Sequence, residues 1–131
     1  MIVVDSSALV AIAQREPERH AALAVLDRAD VSYISPINYV ETGVVVIARG
    51  LLLDRDEVDD WLAGMGIEVR EDLELSGAAL EAYLRFGKGL DPAGLNLADC
   101  FAYALAKTLH APLLYKGDDF PLTDVRSALD A

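Results

Sequence analysis

The chain has a single cysteine, two histidines, only 11 basic residues and no apolar run of membrane-spanning length. Each scarcity excludes something. One cysteine, Cys100, rules out an internal disulfide framework and suits a reducing cytosol. The histidines fit no metal-binding pattern: His20 lies beside Arg19 on a predicted exposed helix, and His110 ends another. There is no Gly-rich phosphate loop, because Gly87-Lys88-Gly89 is short and follows no strand. No basic segment precedes the first apolar residues and no cleavage-site pattern follows them, so a secretory signal is not expected and the predicted location is cytoplasmic. Repeats, low-complexity segments and linker-like shifts in composition are missing, which leaves one predicted domain over residues 1–131.

Basic charge is also short. Eleven Lys and Arg face 22 Asp and Glu, for a net charge of −11. That balance opposes a broad, sequence-independent grip on nucleic acid. Three explanations remain open: a surface made acidic for solubility, a basic partner, or carboxylates gathered around cations.

What is present begins at the first seven residues. Ile2-Val3-Val4 is an apolar run of the kind buried on both faces of a parallel sheet, and it runs directly into Asp5-Ser6-Ser7. Asp5 therefore falls at the carboxyl end of a strand, the edge where open α/β sheets bind ligands. The same residue, or Ser6 or Ser7, is equally suited to cap a following helix. Three more short strands are predicted at about 32–35, 67–69 and 113–115. Helices are predicted over 6–15, 17–29, 36–50, a stretch capped by Asp54, a stretch from Ser76 to Gly87, and about 95–109. This alternation predicts a three-layer α/β/α domain with a short, mostly parallel central sheet of four to five strands.

Some acids occupy places where acids are unexpected. Glu41 has Ile37, Val44 and Val45 at helical spacing, and Asp99 has Leu95, Ala102 and Tyr103. Asp118 and Asp119 follow an apolar strand, as Asp5 does. A carboxylate removed from water is paired, protonated or bound to a cation. Arg15, Arg49 and Lys116 are the basic residues available for pairing, and several converging acids cannot all ionise without cations. Oxygen ligands alone suit Mg²⁺ or Mn²⁺.

Taken in order, Ile2-Val3-Val4-Asp5-Ser6-Ser7-Ala8-Leu9, Glu41-Thr42, Leu97-Ala98-Asp99-Cys100-Phe101-Ala102-Tyr103-Ala104 and Leu113-Leu114-Tyr115-Lys116-Gly117-Asp118-Asp119-Phe120 resemble the motifs of the PIN-domain VapC toxins. The resemblance covers nearly the whole chain. It implies a PIN fold and a Mg²⁺- or Mn²⁺-dependent endoribonuclease acting on structured RNA such as tRNA. It also implies a homodimer held inactive by a VapB-type antitoxin, without a membrane. By position, Asp5, Glu41 and Asp99 match the family's three central acids as catalytic and metal-binding residues. The turn that carries the fourth acid is one residue tighter than the common form; Asp118, after the glycine, is preferred, with Asp119 as the alternative. Ser7 matches the hydroxyl that orients the first acid, and Asn96 is placed to touch metal-bound water or RNA. Arg85, Lys88 and Lys116 are the basic groups expected near RNA, and the apolar surface around 36–50 is the expected dimer interface. Two further readings compete: a metal-dependent phosphatase or receiver-like module, and a non-catalytic acidic protein that binds a basic partner.

Overall fold

The structure is a computed structural model that describes residues 1–130, so residue 131 of the predicted domain lies outside the described residues. In chain order the elements are β1 (Ile2–Val4), α1 (Ser6–Ala13), α2 (Arg19–Arg28), β2 (Ser32–Ile34), α3 (Pro36–Ala48), α4 (Arg55–Gly64), β3 (Ile67–Val69), α5 (Ser76–Phe86), α6 (Leu97–Thr108) and β4 (Leu113–Leu114). A 3-10 turn, Phe120–Leu122, follows. The local signals act as the sequence predicts. Ser35 caps α3 with Pro36 in its first turn, and the Asp54 side chain accepts the Glu57 N–H to start α4.

The sheet is parallel throughout, in the order β3-β2-β1-β4. Residues on a strand alternate between its faces, and the core divides accordingly. Val3 and Leu113 face α5 and α6, packing with Ala79, Ala82, Phe86 and Leu105. Ile2, Val4 and Leu114 face the other way, toward Leu9, Ile12, Leu26, Val46 and Leu62. These two clusters make the three layers. Strand order reverses at β1, whose successors lie on one side and β4 on the other. The carboxyl ends of β1 and β4 therefore flank the topological switch point, where such sheets open a crevice.

The tail after residue 120 is better ordered than its few apolar residues suggest. Leu113 pairs in parallel with Ser127, beyond the edge formed by β4. Tyr103, Lys107 and Arg85 converge on Asp124 and hold this tail to α5 and α6.

The apolar surface expected around 36–50 is present on α3, where Ile37, Val40, Val44 and Ile47 are 36%, 56%, 61% and 40% exposed. The buried face is Asn38, Thr42 and Val46, at i, i+4 and i+8. Hydrophobicity alone misplaces the inner face, because hydrogen bonds compensate the burial of Asn38. The same inversion occurs on α5. Small Ala79 and Ala82 face inward there, while Leu80 and Leu84 are 61% and 59% exposed.

Gly87 closes α5 at a close approach. A Cβ at that position would lie 2.3 Å from the Tyr83 ring and 2.4 Å from the Tyr83 carbonyl oxygen. Relief requires moving backbone, so Gly87→Ala should destabilise the protein by about 1–3 kcal/mol. Urea unfolding measures this, and a change below a few tenths of a kcal/mol would contradict the packing described.

Candidate metal centre and active site

Asp5 stands where β1 gives way to α1 and is only 2% exposed. Its Oδ2 accepts the Ser7 backbone N–H at 3.0 Å and the Ser7 hydroxyl at 2.5 Å. Ser7 Oγ in turn accepts the Lys116 N–H at 2.9 Å, tying the end of β1 to the end of β4. Asp5 is therefore the helix cap and also a residue of the crevice. One oxygen satisfies the start of α1, while Oδ1 takes a single long bond, 3.4 Å, from Asn38 Nδ2.

Asp99 repeats the device in the first turn of α6. Asn96 Oδ1 accepts the Asp99 N–H at 2.9 Å, and Asp99 Oδ2 accepts the Asn96 N–H at 3.1 Å, a reciprocal capping box. Asn96, the residue expected near a metal-bound water or RNA, caps the helix and fixes Asp99. Both acids lie at helix N-termini, whose dipoles favour negative charge.

Electrostatics join the acids into one group. Burial pushes the Asp5 carboxyl up from 3.8 to about 7; the Ser7 hydrogen bonds pull it down, and the charges of Asp99 and Glu41 raise it further. Asp99 is likewise raised, first by burial and then, against the Asn96 bond, by Asp119 and Glu41. Glu41 thus belongs to the site, half-buried one turn after Asn38, although the apolar neighbours that singled it out are themselves largely exposed. Asp118 and Asp119 are both exposed. From that turn, it is the Asp119 charge that acts on Asp99. Gly117 makes the turn with φ 115°, a conformation that favours glycine.

Among the described residues no ion pair offsets this charge. Among the described residues, the ion pairs join Arg55 to Asp59, Arg70 to Asp72, Arg85 and Lys107 to Asp124, and Lys116 to Glu16 and Glu18. None reaches Asp5, Glu41, Asp99, Asp118 or Asp119. Lys116, expected to neutralise a site acid or meet RNA, instead holds the connection between α1 and α2. Arg85 holds the tail. Among the described residues no group of three or more His, Cys, Asp or Glu side chains is placed to hold a metal ion. The acids at this edge are oxygen donors linked by their charges, not by a ready-made ligand geometry. That suits a hard cation which keeps several waters and takes only one or two carboxylates from the protein.

Sequence reasoning missed Asn38, which is fully buried between Asp5, Ser6, Ser35 and the Ala98 carbonyl. The available signal was a polar residue one turn before Glu41 on a helix otherwise rich in Val and Ile.

The comparisons establish the family and the fold. Residues 2–125 match the family described as PIN domain. The chain is 42% identical to a Ribonuclease VapC of Mycolicibacterium smegmatis, covering 95% of this chain and 97% of the relative. It is 40% identical to Ribonuclease VapC42 of Mycobacterium tuberculosis, covering 97% and 98%. In three dimensions it resembles the crystal structure of Mycobacterium tuberculosis VapC20, a toxin that cleaves the sarcin-ricin loop. The TM-score is 0.68 at 16% identity, covering 96% of this chain and 99% of that one.

The raised Asp5 carboxyl makes stability depend on pH in the metal-free protein. Below 3.8 the folded and unfolded states both hold the proton; between 3.8 and about 7 the unfolded chain releases it first, so the folded state loses stability as pH rises. Asp5→Asn removes that loss. The variant should match the wild type near pH 4 and exceed it by roughly 2–4 kcal/mol at pH 8. Urea unfolding in a chelating buffer measures the gap, and a gap that does not widen with pH contradicts the burial argument.

Proposed function

The chain belongs to the PIN-domain family, among the VapC ribonucleases, and we propose that it is the endoribonuclease toxin of a type II toxin–antitoxin pair, dependent on Mg²⁺ or Mn²⁺. The observation that carries the metal reading is the uncompensated negative cluster at the switch point: a buried Asp5 under the charges of Asp99 and Glu41, with no ion pair to any of them among the described residues.

Asp5 and Asp99 would hold the cation through the oxygens that their capping bonds leave available. Asp119 takes the fourth place in preference to Asp118, supported by its effect on Asp99. When bound, the cation supplies Lewis-acid polarisation of a scissile phosphate and makes water a better nucleophile. Glu41 completes the acidic set or orients the attacking water, within reach of both aspartates' charge. Ser7 keeps Asp5 aimed, and Asn96 does the same for Asp99.

The substrate class is structured RNA such as tRNA. Lys88, beside the loop after α5, takes no part in the ion pairs of the described residues and is the basic group best placed to meet it. The cognate antitoxin is a VapB-type protein, and the protein works as a homodimer. Ile37, Val40, Val44 and Ile47 on α3, with Leu80 and Leu84 on α5, form exposed apolar surface suited to these contacts. No helix among the described residues is long and apolar enough to cross a membrane.

Asp5→Asn and Asp99→Asn should each reduce RNA cleavage at least about 10²-fold and abolish growth arrest on expression. Undiminished cleavage by either variant would sink the assignment. The tight turn gives a finer test. Asp119→Asn should lower cleavage by more than about tenfold while Asp118→Asn stays within about threefold of wild type, and the reverse order would restore Asp118 as the fourth acid.

A further inference from the structure

Asn38 touches each segment that carries one of the three central acids. It lies on α3 one turn before Glu41. Its Nδ2 reaches Asp5 Oδ1 at 3.4 Å and Ser6 Oγ at 3.1 Å, at the end of β1, and the carbonyl of Ala98 at 3.2 Å, directly before Asp99. Ser35 donates its hydroxyl to Asn38 Oδ1, and the Ser6 hydroxyl donates to the Asn38 carbonyl at 3.3 Å. Chemistry dictates which way the amide points. The Ala98 carbonyl and an ionised Asp5 can only accept, so the NH₂ must face them, which leaves the amide oxygen for Ser35.

The amide is fully buried, so these bonds form away from competing water. Two N–H bonds serve three acceptors, and the longest contact is the one to Asp5. Asp5 Oδ1 is therefore aimed by the amide but not saturated by it. The backbone before Asp99 is held by the same nitrogen.

We propose that Asn38 is a positioning residue for the cation site: its amide sets the spacing between Asp5 and Asp99 by joining the end of β1 to the first turn of α6. The proposal rests on the metal-dependent reading above. Asn38 itself need not touch a cation. It acts by holding two donors in register, as groups behind metal ligands commonly do, at a cost of about 10–100-fold in affinity when removed.

Calorimetry with Mn²⁺ alone on the full chain tests this. Asn38→Leu keeps similar bulk and removes both donors; it should bind Mn²⁺ at least about tenfold more weakly than wild type. If that variant does not fold, Asn38→Ser carries the same expectation, because its hydroxyl is too short to reach both Asp5 and Ala98. Val46→Ala, which loosens the same helix from its buried face without touching the polar cluster, should lose stability and keep its Mn²⁺ affinity. Equal Mn²⁺ affinity in wild type and the Asn38 variant would overturn the positioning role alone. Equal weakening by Val46→Ala would overturn it too, since general looseness would then explain the effect. A wild type that takes up no Mn²⁺ would remove the metal reading and this inference together.

Discussion

A carboxylate is buried at the end of an inner strand and forms no ion pair among the described residues, and the rest of the site follows from that constraint. Asp5 is 2% exposed, and its proton affinity rises until the group titrates near neutrality. A protein does not ordinarily keep such a group unless something compensates it. Here the neighbours aggravate the problem: Glu41 and Asp99 add negative charge, and none of the ion pairs among the described residues brings a basic side chain to them. That unfavourable burial is the physical ground for the proposed hard cation, which would offset the charge of these oxygen donors.

Helix capping builds the site as well as starting its helices. Asp5 caps α1 and Asp99 closes the capping box of α6, each spending one oxygen on backbone N–H groups. Two helix N-termini therefore point their dipoles at one crevice. The capping bonds hold each carboxyl in one orientation, so little conformational freedom remains to be lost when a ligand binds. Capping and ligand binding looked like alternatives for Asp5, but a carboxylate has two oxygens and can do both.

Helix α3 divides its duties in the opposite way from a typical amphipathic helix. Its inner face presents Asn38 and Thr42 to the site, and Val and Ile side chains stand outside. Burying Asn38 inward is tolerated because Ser35, Ser6 and Ala98 satisfy its amide, whereas the buried Thr42 hydroxyl finds no hydrogen-bond partner among the described residues. Leaving apolar groups outward costs solubility unless another surface covers them. With a net charge of −11, the remaining surface is acidic, which favours a partner that brings basic groups.

The sequence by itself determined the element order and the parallel sheet class, because these depend on local patterns such as apolar runs and caps, and it nominated Asp5, Glu41 and Asp99 as candidate site acids. Strand boundaries such as Ile67–Val69 and the cap at Ser35 were legible for the same reason. Tertiary structure alone decided the rest. Strand order put β4 beside β1 and so brought the Lys116 N–H, just before the turn that carries Asp119, onto Ser7 across 109 residues, a proximity that no local spacing encodes. It decided that Lys116 and Arg85 spend their charge on Glu16 and Asp124. It also turned the apolar side of α3 outward, because which helical face is buried depends on what packs against it, and here the hydrogen bonds of Asn38 outweighed the hydrophobic pattern.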